Sequence, residues 1–140
     1  MDEPTENKLC GVSTKAVVLD KEGRLLTLFR TETAPVRPNT WDLPGGDLDY
    51  GEEPEKGIVR EVKEETGLDV TDVKIFDASA RIDHEGVHWL TLAYKCLAIN
   101  GNVKLSDEHN DYKWVTPEEF LKLESGPKLM RYVQAIKNSN

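Results

Sequence analysis

Three glutamates in the run Arg60-Glu61-Val62-Lys63-Glu64-Glu65 have the types and spacing for joint chemistry. On a helix, at about 100° per residue, Glu61, Glu64 and Glu65 share an arc of roughly 100°. Their Cβ atoms are then neighbours about 5–6 Å apart along the i, i+3 and i, i+4 rows. Like charges that close repel one another, so the helix gains only if a cation sits among them. An all-oxygen carboxylate set suits a hard divalent ion such as Mg²⁺ or Mn²⁺. The plainer alternative is a solvated acidic face. The surroundings favour the cation: Pro44-Gly45-Gly46 and Glu52 come before the run, and Thr66-Gly67-Leu68 closes it. The glycine pair permits close backbone approach, with loop amides free to meet a ligand oxygen or simply to turn the chain.

As one pattern this is Gly46, five residues, Glu52, seven residues, Arg60-Glu61-Val62, one residue, Glu64-Glu65, one residue, Gly67-Leu68. It resembles the Nudix box of the Nudix hydrolase superfamily, with every fixed position filled. Nine specified positions across 23 residues make the pattern far more specific than a lone glycine motif. The resemblance implies an α/β Nudix fold, an α/β/α sandwich with a mixed β-sheet. It also implies hydrolysis of a nucleoside diphosphate linked to another group, by water, with Mg²⁺ or Mn²⁺. A diphosphate repels hydroxide and leaves poorly, so bound cations must neutralise charge and orient the water.

The candidate site follows residue by residue. Glu61 and Glu65, at i, i+4, are the first-choice metal ligands, and Glu64 is the third ligand or the base. Gly45, Gly46, Glu52, Arg60 and Gly67 support the box; Glu52 is expected to pair with Arg60, since arginine favours bidentate carboxylates. Family resemblance implies a further carboxylate from a later loop, and Glu108 is best placed for it, with Asp107 and Asp111 in competition. Arg30, Arg37 and Arg81 are candidate substrate contacts. His84 and His88 flank a turn and read as surface residues. Trp41, Trp89 and Trp114 read as core residues, although any of them could stack a base.

Substrate marks outside the box are sparse. ADP-ribose pyrophosphatases resemble one another in a proline about fifteen residues past the box, where Asp83 and His84 stand here. Diadenosine polyphosphate hydrolases tend to carry a tyrosine slightly later, where this chain has Glu85 and Gly86. The downstream motif of NADH pyrophosphatases is absent. What remains is a small MutT-like enzyme acting on a nucleoside triphosphate or a sugar nucleotide. The rival classes are a non-catalytic nucleotide-sensing Nudix domain and a metal-binding protein with a coincidental acidic helix.

The elements that must position these residues read as follows. Residues 1–7, acidic and polar, read as a short disordered tail, and residues 8–140 as one domain. Residues 9–19 and 24–30 make a hairpin about the turn at 20–23. A loop over 31–39 leads to a short extended piece at 41–43. Pro54 starts the box helix and Gly67 ends it with a left-handed cap. Ile58, Val59 and Val62 form its apolar stripe, with the acids facing an open cleft. Gly57, mid-helix, costs roughly 1 kcal/mol against alanine, and either leaves room for a neighbouring loop or phosphate or is merely tolerated. Two long strands, 70–83 and 87–99, join at His84-Glu85-Gly86, and a shorter one ends at Val115. Thr116-Pro117-Glu118-Glu119 is a capping box. Pro127 opens a last helix with Leu129, Met130, Val133 and Ile136 on one face.

Bulk composition sets the outer bounds. The chain has 140 residues, 38% of them apolar, with a net charge of −8, which suits one soluble domain with a real core. Residues 46–68 hold eight acids against Lys56, Arg60 and Lys63, so the negative charge is concentrated on the box. That invites a cation locally and disfavours nucleic acid polymers. Cys10 and Cys96 are far apart in sequence and read as free thiols. The N-terminal residues are neither a signal nor a transit peptide, and no apolar run approaches membrane-spanning length. The expected location is cytoplasmic, the expected partner a small phosphorylated nucleotide, and a homodimer is compatible with the resemblance.

Overall fold

The computed structural model describes residues 9–139. The tail expected over residues 1–7 lies outside the described residues, as do residues 8 and 140. Six strands and three helices follow in the order β1 (Cys10–Leu19), β2 (Leu25–Arg30), β3 (Trp41–Asp42), α1 (Pro54–Thr66), β4 (Val70–Ile82), β5 (His88–Ala98), β6 (His109–Val115), α2 (Pro117–Leu121) and α3 (Pro127–Asn138). The strands form a mixed sheet in the order β3-β2-β1-β5-β4, with β6 paired to β2. β1 and β5 run parallel in unbroken register from Cys10↔His88 to Leu19↔Leu97, and the other pairings are antiparallel.

Alternation along β1 sends successive side chains to opposite faces. Ala16 and Val18 pack with Ile58 and Val62 of α1, while Val17 packs with Phe120 of α2 and with Tyr132, Val133 and Ile136 of α3. The sheet is therefore covered by a helix layer on each face, as in the expected α/β/α sandwich. Burying Ile58 and Val62 stabilises the box helix by about 1.5–3 kcal/mol for each side chain.

The first hairpin is tight only at its turn. Asp20 accepts hydrogen bonds from the amides of Glu22 and Arg24, and Gly23 takes a positive φ of 78°. Beyond Leu19↔Leu25 the two strands part. The vacated edge of β1 is filled by the glycine segment: Thr14 N–H donates to Gly46 O, Ala16 N–H to Pro44 O and Leu48 N–H to Val12 O. This splay seats the segment carrying Gly45 and Gly46 beside the box helix.

Helix α1 begins at Pro54 and ends on Gly67 at φ 74°, where only glycine is free of strain. Its apolar stripe differs from expectation. Val59 is 37% exposed, and the buried positions are Gly57, Ile58, Val62, Glu65 and Thr66. Thr66 takes a core position because its hydroxyl donates to Val62 O at 2.6 Å. In α3, Tyr132 rather than Met130 completes the buried face, with its hydroxyl held by Ser79.

Candidate active site

Glu65 is 5% exposed and accepts a 2.7 Å hydrogen bond from Gly45 N–H. Burial pushes its carboxyl up to about 8; the Gly45 amide and Lys15 oppose that rise, and the charges of Glu108 and Asp42 add to it. Glu61, whose side chain is 14% exposed, is raised in the same way, by burial first, with Arg60 opposing and Glu64 and Glu108 adding. A Cβ on Gly46 would stand 2.6 Å from the Glu61 carboxylate, and a Cβ on Gly45 would overlap Thr14 O. The glycine pair is thus what lets two carboxylates lie against the loop.

Arg60 ties the box together. Its Nε and Nη2 donate to Glu52 at 2.8 and 2.9 Å, and Nη1 donates to Glu61 at 3.0 Å and to Glu64 at 3.2 Å. Hydrogen bonds from Arg60 bring the Glu52 carboxyl down to about 2. Glu52 also accepts from Asp49 N–H, which fixes the loop against the helix. Gly57 belongs to the same packing: a Cβ there would overlap Leu48 Cδ2 and come within 3.1 Å of Glu52 Oε1. The room it leaves is for the loop.

Glu64 is more exposed than its partners, at 57%. Glu108 is exposed on the turn before β6, and its charge bears on both Glu61 and Glu65. Asp107 and Asp111 are exposed, and Asp111 caps the amide of Tyr112. Among the described residues no three such side chains form a closed metal cage. The donor chemistry nevertheless fits a hard divalent ion. Burial works against the charged forms of both Glu61 and Glu65, and a bound cation opposes that effect.

Asp42 also lines a cavity of about 520 Å³. Arg30, Arg37 and Arg81, well separated in sequence, all line it, joined by Lys15 and Lys128. Asp42 is buried between Lys15 Nζ at 2.8 Å and Arg30 Nη1 at 2.9 Å, with His109 Nε2 at 3.6 Å. Burial would raise its carboxyl, but Lys15, His109 and Arg30 together hold it well below the usual carboxylate range. Lys15, Asp42, His109 and Lys128 were not singled out in the sequence. A lone lysine in the apolar run of β1 is the one local signal; the others are adjacent only in the folded chain.

His84 and His88 are exposed. Trp89 donates to Asp83 at 2.9 Å, Trp114 packs on the α1-side core, and Trp41 borders the cavity with its ring against Phe29. Cys10 is exposed and Cys96 buried, and both are free.

Comparison with known proteins decides the family, because the NUDIX domain profile matches residues 11–135. The chain belongs to the Nudix hydrolases. It is 36% identical over 117 residues to a MutT-like protein of Streptomyces ambofaciens, covering 84% of this chain and 71% of that protein. It is 30% identical over 113 residues to the nucleoside triphosphatase NudI of Salmonella arizonae, covering 74% and 80%. The crystal structure of a MutT protein from Methanosarcina mazei superposes with a TM-score of 0.79 at 28% identity, over 95% of this chain and 96% of that one. This Nudix chain is a pyrophosphohydrolase, and Nudix hydrolases generally need a divalent metal. No helix among its described residues is long and apolar enough to cross a membrane.

Proposed function

We propose that this Nudix enzyme cuts a diphosphate bond in a nucleoside triphosphate or a sugar nucleotide, with Mg²⁺ or Mn²⁺ held by Glu61, Glu64 and Glu65. The observation that carries the reading is the seating of the Glu61 and Glu65 carboxylates against Gly46 and Gly45, with the charge of Glu108 bearing on both. The likeness to NudI supports the triphosphate arm. When bound, the ion neutralises phosphate charge and lowers the pKa of the attacking water.

The chain's own groups do the rest. Gly45 N–H orients Glu65, and Arg60 holds Glu61 and Glu64 by hydrogen bonds from Nη1. Glu64 or Glu108 takes the proton as the water oxygen bonds to phosphorus. The anhydride P–O bond breaks, and the leaving phosphate carries away the electron pair. Arg30, Arg37 and Arg81 bind the substrate from the cavity. The site works on a small molecule in the cytoplasm, and the homodimer belongs to the same proposal, read by sedimentation velocity.

The test is phosphate release from (d)NTPs, sugar nucleotides, ADP-ribose and dinucleoside polyphosphates with Mg²⁺, using Glu64→Gln as the blank. A strong hit on a (d)NTP or a sugar nucleotide supports the reading, and one confined to ADP-ribose or a dinucleoside polyphosphate overturns its substrate class. Silence across the panel, with ligand-induced thermal shifts retained, overturns it in favour of a nucleotide sensor.

A further inference from the structure

The cavity beside the box holds more positive charge than its own acid can match. Asp42 serves Lys15 and Arg30. Arg37, Arg81 and Lys128 also line the cavity, and none of the three has an acidic partner among the described residues. Lys128 makes a single hydrogen bond, 3.3 Å to Thr91 Oγ1. Three unmatched cations around one space repel one another, and a neutral base or sugar filling the cavity would leave that repulsion in place. In a chain of net charge −8, their convergence from a loop, β4 and α3 calls for a negative group between them.

The placement of each is specific. Arg37 sits at a left-handed φ of 48°, with its guanidinium laid against Gly126, where a Cβ would come 3.2 Å from its Nε. Arg81 projects from β4, opposite Trp89. Lys128 stands in the first turn of α3, whose N-cap Gly126 offers no side-chain cap. Burial lowers the Lys128 ammonium to about 8, with Lys15, Arg81 and Arg37 adding to the fall. Lys15 links this space to the metal side, because it also contacts Leu43 O at 3.1 Å and its charge reaches Glu65. The cavity and the box therefore adjoin at Lys15.

We infer that the cavity binds an anionic group, phosphate or carboxylate, at the end of the substrate remote from the bond that is cut. The inference rests on the hydrolase reading for its substrate but not for its test. It places the preferred substrate among nucleotides that carry a further negative charge outside the diphosphate.

The experiment is calorimetric binding to the EDTA-treated protein, so that neither metal nor turnover is needed. Two matched pairs serve as probes: UDP-glucuronic acid against UDP-glucose, and ADP-ribose 2′-phosphate against ADP-ribose. The expected result is at least tenfold tighter binding of the charged member in one pair, and the pair that responds distinguishes carboxylate from phosphate. That advantage should fall at least fivefold in Lys128→Met and in Arg81→Met. Arg81 is exposed, so its variant keeps the test decisive if Lys128→Met misfolds. Equal binding within both pairs, an advantage that survives both substitutions, or no binding by any of the four compounds overturns the inference. A retained anion preference with no hydrolysis on adding Mg²⁺ counts against the hydrolase reading alone.

Discussion

At the scale of single residues, Glu61, Glu64 and Glu65 differ although the sequence presents them as equivalent. Glu65 is enclosed and held by Gly45 N–H, Glu61 lies between Gly46 and Arg60, and Glu64 stands largely in solvent. Glu64→Gln and Glu65→Gln should each lower kcat by about 10²–10⁴ with the fold intact by circular dichroism; near-normal rates in both would remove the metal assignment. Glu108→Gln should lower kcat more than it lowers the melting temperature, and an unchanged rate would make Glu108 a surface charge. Lys128 gives a pH signature. Its pKa falls from 10.5 in the ordinary case to about 8 here, so the folded state binds fewer protons than the unfolded chain between those values. Stability should then rise with pH across that window. The melting temperature of the wild type, followed against that of Lys128→Met from pH 7.5 to 10, should climb relative to the variant. Parallel curves would show that Lys128 is solvated.

At the scale of elements, the box works as a loop clamped to a helix. Arg60 bridges the two through Glu52, Gly57 makes room for Leu48 and Glu52, and Pro54 and Gly67 fix the helix ends. Adding a Cβ at Gly46 drives the Glu61 carboxylate from its seat without touching the core. Gly46→Ala should therefore cost about 100-fold in kcat, the scale of a one-ångström misplacement, while leaving the urea midpoint almost unchanged. A variant with full activity would show that the position of Glu61 does not matter. Gly45→Ala should be worse for folding, since its Cβ meets the backbone of Thr14 inside the sheet.

At the scale of the whole molecule, charge is divided between two neighbouring places. The acids gather on the box and the cations gather around the cavity, with Lys15 and Asp42 at the border. Activity should vanish with EDTA and return with Mg²⁺ or Mn²⁺, and indifference to chelation would exclude the metal route. The parting of β1 from β2 makes the division possible. It opens the sheet for the glycine segment on the α1 side and leaves Trp41 and Asp42 on the rim of the cavity.

The sequence by itself determined the box, its helix ends and the strand order along the chain. Those features depend on contacts within a few residues: a proline at the first turn, a left-handed glycine cap, a capping box at Thr116. The resemblance carried by the box also named the family. The Glu52–Arg60 pairing came from residue chemistry alone, because the two lie eight positions apart beside one loop. Tertiary structure alone decided which acid is buried, that Val59 is exposed while Thr66 is covered, and that Tyr132 takes the place expected for Met130. It also decided that Arg30, Arg37, Arg81 and Lys128 share one cavity. Periodicity reports which face of an element is apolar. It does not report which distant side chains that face will meet, and the depth of burial and the field at Asp42 and Lys128 are set by those long-range neighbours.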